Sequence, residues 1–535
     1  MKRILYTALL SISFSLAFGQ KKVYDARTAD WAILTPAAAD VPKINGPGIY
    51  GAGAGKEFIY RIPCEGLRPI VFSASGLPEE LTLDTKKGII SGKTPIKEGE
   101  YNITFTASNS KGKDSRDFKL VIGKKLALTP PMGWNSWGGH MLYVSDELMR
   151  RVADVIVNKG LADVGFQYVS VDDCWMRIDQ DYYNKNKEVF EKRAPGFDFS
   201  KVTGTPRDER GRILSNSLFP DMKSMTDYIH SYGLKAGIYC GPGPRTCQLY
   251  TSSFGYEASD AMQFADWGFD LLKYDNCSYR EIYKKITDAI SDTACSLNEA
   301  FIWYPMAQYL QEQKRDIQYN LCQYGAHEPW KWAPDFNIQS WRTGGDLNHN
   351  IHTYFSEALR IAKDLRDYSK PGQWNDPDFM YLGKIYDWRN RTAPPQKIPL
   401  TSNQQYQYVS LWSLICAPFF FSANIDVIDD FTIGLLRNAD IVNVNQDELG
   451  HVAEVIREKD KQVILMKKLS DGSIVAGLFN TDPNKEQSIV LNWAEIGMQG
   501  EHPVRDLWRQ KEIGKFKDGI DIRISANGVA VIRVK

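Results

Sequence analysis

The chain has 535 residues, of which 43% are hydrophobic and 24% charged, and its 65 basic and 65 acidic side chains give a formal net charge of zero. This composition is typical of a globular protein long enough for more than one core. The balanced charge argues against a nucleic acid or an acidic membrane surface as a partner. The eight cysteines are too sparse for a disulfide framework, and no CxxC spacing suggests a zinc site.

The first 19 residues have the pattern of a secretory signal peptide. Lys2 and Arg3 precede an apolar run from Ile4 to Phe18, and the small residue Gly19 precedes Gln20. We therefore predict cleavage near Gly19/Gln20 and a secreted or periplasmic mature protein. A membrane anchor is the alternative, but the run is short for a span, and no later segment is long and apolar enough to be one.

Residues 20–123 predict an Ig-like β-sandwich module. Short β-rich pieces such as "KEFIYRIP" and "PIVFSASG" are separated by Gly, Pro and Asn turns. The stretch "EGEYNITFTASNSKGKDSRDFKLVIG" predicts a hairpin that closes a small sandwich. It contains no cluster of acids or histidines, so no catalysis is assigned to it, and a spacer role is favoured over sugar binding.

Residues 124–444 predict a barrel, because strand-like runs such as "LKAGIYC" alternate with helix-like stretches such as "DMKSMTDYIHSYG". Repeated βα units over roughly 300 residues indicate a parallel sheet, and polar residues at the strand ends favour a (β/α)8 TIM barrel over an open sheet. No GxGxxG or phosphate loop follows an early strand, which argues against a nucleotide-binding fold. Residues 445–535 return to β alternation, with "LSDGSI" as a hairpin turn, and predict a C-terminal antiparallel β-sandwich.

The residues at the ends of the predicted barrel strands indicate the chemistry, since functional side chains of such barrels gather there. They are acidic, aromatic and poor in histidine: Trp134, Trp137, Asp172, Asp173, Tyr239, Lys273, Asp275, Arg342, Asp346, Asp376 and Asp378. Glycoside hydrolysis needs two carboxylates and aromatic faces for the sugar ring, so the set favours a glycosidase. A metal site is the competing interpretation. It is disfavoured because Lys273 and Arg342 lie among the acids and would repel a cation, and no metal or cofactor is predicted.

Seven motifs follow one another in the order and spacing of family 27 glycoside hydrolases: "LALTPPMGWNSW", "VDDCW", "GIYCGPGPRTC", "LLKYDNC", "WRTGGDL", "WNDPDF" and "NQDELG". From about Lys125 to Lys535 the chain thus resembles the α-galactosidase (melibiase) and α-N-acetylgalactosaminidase group. The resemblance implies a (β/α)8 barrel followed by an antiparallel domain. It also implies a retaining exo-α-galactosidase, which hydrolyses terminal α-linked galactose through a covalent glycosyl-enzyme.

Carried over motif by motif, the resemblance implies that Asp275 is the nucleophile and Asp346 the acid/base. The implied substrate-binding residues are Trp137, Asp172, Asp173, Tyr239, Lys273, Gln323, Arg342 and Asp378. Lys273 would lower the pKa of the Asp275 carboxyl, whereas Asp346 would need a drier or less positively charged setting to keep its proton. Cys247 and Cys277 match positions that form a disulfide beside the nucleophile.

The loop "CQYGAHEPW", which would read the substituent at C2 of the sugar, departs from the family patterns. Ala326 is small, as in the N-acetylgalactosaminidases, but Gln323 is large and polar, unlike the serine there. Plain galactose is favoured, with an α-N-acetylgalactosaminidase as the alternative. A β-L-arabinopyranosidase is disfavoured because Asp172, which would serve the 6-hydroxyl, is present. A non-catalytic carbohydrate-binding protein is disfavoured because both Asp275 and Asp346 are present.

Overall fold

The computed structural model describes residues 23–279, 295–387 and 393–535. The predicted signal peptide, residues 1–19, lies outside these ranges. Within the described residues, no helix combines the length and the apolar composition needed to cross a membrane.

The Ig-like module consists of two main sheets packed around an aromatic core. Its long hairpin pairs Gly99–Asn109 with Gly112–Ile122 in register, and alternate residues of the first strand are buried. The rings of Tyr60, Phe105 and Phe118 lie 4.7–6.3 Å apart at the centre. The module's strands are Lys43–Ile44, Ile49–Ala52, Glu57–Arg61, Cys64–Glu65, Val71–Ser75, Leu81–Asp84, Ile89–Lys93, Gly99–Asn109 and Gly112–Ile122.

The central barrel has eight strand positions, and every pair of neighbours within it is parallel. The strands are buried along almost their whole length, because helices cover their outer side and side chains fill the interior. They are β1 (Met132–Asn135), β2 (Tyr168–Ser170), β3 (Lys235–Cys240), β4 (Leu271–Asp275), β5 (Gln318–Cys322), β6 (Ser340–Arg342), β7 (Trp374–Asp376 with Met380–Tyr381) and β8 (Phe419–Ser422).

Strand β7 is interrupted, and the buried residues Asp376 and Asp378 lie at the interruption. Its first piece pairs with β6 and its second piece with β8, so the two pieces together complete the ring. Between them, Asp378 has a positive φ of 132°, a conformation that is costly for a residue with a Cβ. The indole of Trp412 donates a hydrogen bond to the Asp378 carbonyl (2.8 Å) and helps to hold this conformation.

The helices around the barrel begin at recognisable caps. Ser145 accepts a hydrogen bond at the start of Asp146–Asn158, and Thr401 with Gln404 forms a capping box before Ser402–Leu414. Ser402–Leu414 is buried nearly all round because the barrel and the C-terminal domain enclose it. Among the described residues, the remaining α-helices are Ser136–His140, Gln180–Lys185, Lys187–Arg193, Met222–Ser231, Glu257–Trp267, Cys295–Gln311, Ile351–Arg360, Asp430–Leu436 and Ala439–Asn445.

The C-terminal domain is a sandwich of a six-stranded antiparallel sheet and a smaller sheet. The six strands are Glu454–Lys459, Gln462–Lys468, Ile474–Asn480, Val529–Val534, Glu501–Asp506 and Lys511–Lys517, in spatial order. Gln487–Asn492 and Gly519–Ile524 form the smaller sheet. The three-part fold expected from the sequence is thereby confirmed.

One segment lies elsewhere than the sequence indicated. The predicted Ig-like module begins at residue 20, but Val23–Asp25 pairs in parallel with Gly519–Ile524 of the C-terminal domain. Ala26 is buried in that domain's core, and the Tyr24 hydroxyl donates to Asp506 (2.7 Å). A three-residue strand carries no sign of its partner in its own sequence, because the partner is set by tertiary packing.

Candidate active site

The carboxyl ends of the barrel strands bring the predicted residues to one face of the barrel, as the parallel arrangement requires. We call the buried group Asn135, Asp172, Asp173, Lys273 and Asp275 the pocket floor. We call the partly or largely exposed group Trp137, Tyr324 and Asp346 the pocket mouth. Trp134 does not belong to the site, because it is fully buried and its indole donates to the carbonyl of Ala423 (3.0 Å).

A buried ion pair is the centre of the pocket floor. Lys273 Nζ lies 2.8 Å from Asp172 Oδ2, and Asn135 Nδ2 donates to the same oxygen at 2.8 Å. Burial alone would lower the pKa of Lys273, but the negative charges around it, chiefly Asp172, raise that pKa above its ordinary value. Lys273 is therefore a fixed positive charge that orients Asp172. Asn135 was missed in the sequence, although its place at the end of β1 could have revealed it.

Asp275 has one oxygen held and the other left open. The Tyr239 hydroxyl donates to Oδ2 at 2.9 Å, while Oδ1 is buried and has no hydrogen-bond partner among the described residues. Burial raises the pKa of the Asp275 carboxyl, and the charge of Lys273 opposes that rise. The sequence predicted that Lys273 would set a low pKa, but the net shift is upward. Lys273 is hydrogen-bonded to Asp172 instead, and burial outweighs its effect on Asp275.

Asp173 is anchored by backbone amides at the edge of the floor. Its oxygens accept hydrogen bonds from the amides of Cys174 (2.7 Å) and Gln248 (2.9 Å). Burial nevertheless raises the pKa of Asp173 to about 7, and the charge of Asp172 adds to the rise. Its charge can therefore change within the neutral pH range.

Arg342 connects the interior of the site to the mouth. Its Nη2 lies 3.2 Å from Asp378 Oδ2 and 3.3 Å from Asp346 Oδ1. Burial raises the pKa of Asp378 to about 7 even though Arg342 lowers it. The Asp346 side chain is 71% exposed. The expectation of a dry setting without nearby positive charge is therefore wrong for Asp346 in this structure, because it lies in solvent beside a guanidinium group.

The loop after β5 folds back on itself. Gln323 is fully buried, its Nε2 donates to the carbonyl of Ala326, and its Oε1 has no partner among the described residues. Tyr324 adopts a positive φ of 62°, and its ring lies beneath the Arg342 guanidinium at 5.6 Å. Sequence reasoning missed Tyr324 because a tyrosine between two residues of interest carries no pattern of its own.

Cys247 and Cys277 are joined by a disulfide in the structure, with their Cα atoms 4.9 Å apart. The Tyr239 hydroxyl lies 3.5 Å from Cys277 Sγ, so the bond borders the floor. Within the described residues, these two sulfurs and Asp275 are close enough together to suggest metal ligands. Sulfurs joined to one another offer no thiolate, so this cluster does not fit a metal.

Comparisons with known proteins give a consistent result along the chain. The family model described as "Alpha galactosidase A" matches residues 129–198 and 200–447, "Alpha galactosidase C-terminal beta sandwich domain" matches 459–534, and "Putative Ig domain" matches 42–123. "Alpha-galactosidase 2" of Arabidopsis thaliana is 30% identical over 76% of this chain and 89% of its own length. An alpha-galactosidase of Cyamopsis tetragonoloba is 32% identical over 72% of this chain and 80% of its own.

A solved structure shares all three parts of the fold. It is a Bacteroides fragilis protein described as a "putative alpha-galactosidase", and it superposes with a TM-score of 0.79. The identity is 29%, and the match covers 94% of this chain and 99% of the other.

Proposed function

Given that the chain belongs to the α-galactosidase (melibiase) family of glycoside hydrolases, we propose that it removes terminal α-linked galactose from oligo- or polysaccharides with retention of configuration. The observation that carries the assignment of roles is the state of Asp275. A buried carboxylate whose second oxygen has no partner is suited to attack on an anomeric carbon. Tyr239 and Lys273 favour its ionised form, which the attack requires.

Asp346 is our candidate for the acid/base residue. It lies at the mouth, where the leaving group departs, and its charge contributes to the raised pKa of Asp275. In the free protein it is open to water. A bound sugar would cover it and exclude that water, which favours the protonated form that donates to the leaving oxygen. Water entering after the leaving group departs would then lose its proton to Asp346.

The residues of the pocket floor would recognise galactose. Asp172 and Asp173 would accept hydrogen bonds from the 6- and 4-hydroxyls, and Lys273 would hold Asp172 in place for this. A buried carboxylate left without its partner is costly, so a sugar with the opposite configuration at C4 is rejected. Trp137 would supply an apolar wall. Arg342 and Asp378 would contact the polar side of the ring.

The competing substrate is α-linked N-acetylgalactosamine, because Ala326 leaves room near the position of the 2-substituent. The hydrogen bond from Gln323 to the Ala326 carbonyl favours plain galactose. This hydrogen bond joins two residues of the loop, and an N-acetyl group would have to displace the buried side-chain amide of Gln323.

A panel of three nitrophenyl glycosides tests the substrate assignment: α-galactose, α-N-acetylgalactosamine and β-L-arabinopyranose. We expect kcat/KM for the galactoside to exceed the others by about tenfold or more, since one misplaced polar group is worth at least that factor. Proton NMR of the first-formed sugar should show the α anomer. Faster turnover of the N-acetyl or arabinose substrate, or a β product, would refute the corresponding part of the proposal.

We further propose that the protein is exported, with cleavage near Gly19/Gln20 and the Cys247–Cys277 disulfide formed in an oxidising compartment. The proposed division of the mature chain is an Ig-like module to residue 123, apart from Val23–Asp25, which pairs with the C-terminal domain, then a catalytic barrel to 444 and a C-terminal domain to 535. Mass spectrometry of the exported protein, before and after thiol reduction, would establish its first residue and the disulfide.

A further inference from the structure

Three aromatic side chains from three different loops meet on the active face of the barrel. Tyr143 follows the helix after β1, Phe197 lies in the long segment after β2, and Tyr386 follows the second piece of β7. The Tyr143 ring lies 5.9 Å from Phe197 and 5.5 Å from Tyr386. We call these three side chains the ring wall.

Backbone and packing contacts attach the ring wall to the pocket mouth. The amide of Tyr386 donates to the carbonyl of Gly138 (2.8 Å), the residue directly after Trp137. Gly138 in turn packs on the ring of Tyr381, where an added Cβ would lie 2.7 Å from ring carbons. Burial raises the pKa of Tyr381, and the negative charges of Asp378 and Asp346 add to that rise because both carboxylates lie in its vicinity. The backbone of Tyr386 thus contacts the residue after Trp137, and the loops after β1, β2 and β7 that carry the ring wall emerge at the same face of the barrel as the loop that carries Asp346.

The ring wall remains partly accessible, unlike the aromatic residues of the barrel core. Tyr143 is 37% exposed, and Phe197 and Tyr386 are half-buried. Phe197 is supported from behind by Phe199, whose ring lies 5.0 Å away. Rings held by neighbours with one face left open present a preformed apolar surface.

We propose that the ring wall is the binding site for the leaving-group sugar, a pyranose unit to which the galactose is α-linked. This inference rests on the proposed galactosidase function and deepens it. The C–H faces of a pyranose are apolar, and flat aromatic side chains bury such faces well. The wall binds the part of the substrate that Asp346 protonates, and so favours oligosaccharides over galactosides with small leaving groups. It contributes nothing to the recognition of galactose itself.

The test compares two substrates that differ only in the leaving group: a disaccharide with galactose α-linked to a second hexose, and α-galactosyl fluoride, which has no second sugar. Tyr143→Ala and Tyr386→Ala should each lower the ratio of kcat/KM for the disaccharide to that for the fluoride about tenfold, the loss expected from removing one aromatic contact. Tyr386→Phe, which keeps the ring, should retain the wild-type ratio. Tyr304→Ala is the matched control, since Tyr304 is 38% exposed but lies on the outer helix Cys295–Gln311.

An unchanged ratio in both alanine variants, or equal losses on both substrates, would overturn the proposal. The second result would indicate a purely structural role for the rings. Failure of the galactosidase function itself is distinguishable, because the wild-type protein would then hydrolyse neither substrate.

Discussion

The carboxylates of the pocket floor and of the pocket mouth differ in their burial and in their hydrogen bonding. In the floor, Asp172 has a cation and an amide on one oxygen, and Asp173 accepts two backbone hydrogen bonds, all away from solvent. At the mouth, Asp346 lies 3.3 Å from the guanidinium group of Arg342 and is mostly exposed. If Asp172 and Asp173 bind galactose as proposed, the floor is organised before the sugar arrives. The proposed acid/base residue at the mouth would acquire its final environment only when substrate covers it, so the mouth could adapt to different leaving groups.

The largest expected effect lies in the floor. Asp275→Asn removes the proposed nucleophile but preserves the size of the side chain, and we expect kcat to fall by at least about 10³-fold. The measurement is nitrophenyl galactoside hydrolysis. Asp367→Asn, a change at a 90% exposed carboxylate, is the matched control. Wild-type activity in Asp275→Asn would mean that the nucleophile is another residue.

The next effect concerns the ion pair of the floor. Lys273→Met leaves Asp172 as an uncompensated buried carboxylate, which should cost about 3–5 kcal/mol of stability. Urea unfolding followed by tryptophan fluorescence measures this loss. The double variant Lys273→Met with Asp172→Asn should regain part of the stability, because the second change removes the uncompensated negative charge of Asp172. A single variant as stable as wild type would show that the pair does not organise the floor.

The corresponding change at the mouth should affect catalysis without affecting stability. Asp346→Asn should lower kcat about 10²-fold for a sugar leaving group and much less for dinitrophenol, which departs without a proton. Its unfolding midpoint should stay at the wild-type value, because the side chain is exposed. Equal losses on both leaving groups would contradict the acid/base role.

The smallest effect is a pH dependence of stability arising from buried carboxyls. The pKa of Asp173 is 3.8 in the unfolded reference and about 7 in the folded protein, so the folded state binds more protons between these values. Stability from this group is therefore complete below about pH 4 and is lost as the pH rises to about 7. Asp173→Asn should reduce the fall in urea midpoint between about pH 5 and about pH 8. Asp378, with a similarly raised pKa, and the other buried carboxyls whose pKa is raised, Asp275 among them, contribute in the same direction. An unchanged slope would show that Asp173 titrates normally.

The sequence predicted the order of the barrel strands well, because most of them end on a polar residue after a buried run. It placed Asp172, Lys273 and Asp275 near one another for the same reason. It could not predict that Lys273 pairs with Asp172. It therefore also missed that burial, rather than the charge of Lys273, determines the direction of the pKa shift of Asp275. Which of two carboxylates a lysine contacts depends on side-chain positions across neighbouring strands, and residue spacing along one strand does not encode this. The interruption of β7 could not be predicted either, since the sequence "WNDPDF" is typical of the end of a single strand.

The pairing of Val23–Asp25 with Gly519–Ile524 has a consequence for how the chain folds and how it can be shortened. This strand precedes its partner by the whole of the Ig-like module and the barrel, so the small sheet of the C-terminal domain is completed only after both of these parts have been synthesised. A truncated protein that starts at residue 42, where the Ig-domain match begins, would leave one side of Gly519–Ile524 without a neighbour. An unpaired edge of that kind invites intermolecular strand addition. Truncated proteins whose ends follow the domain matches alone would therefore carry an aggregation-prone edge.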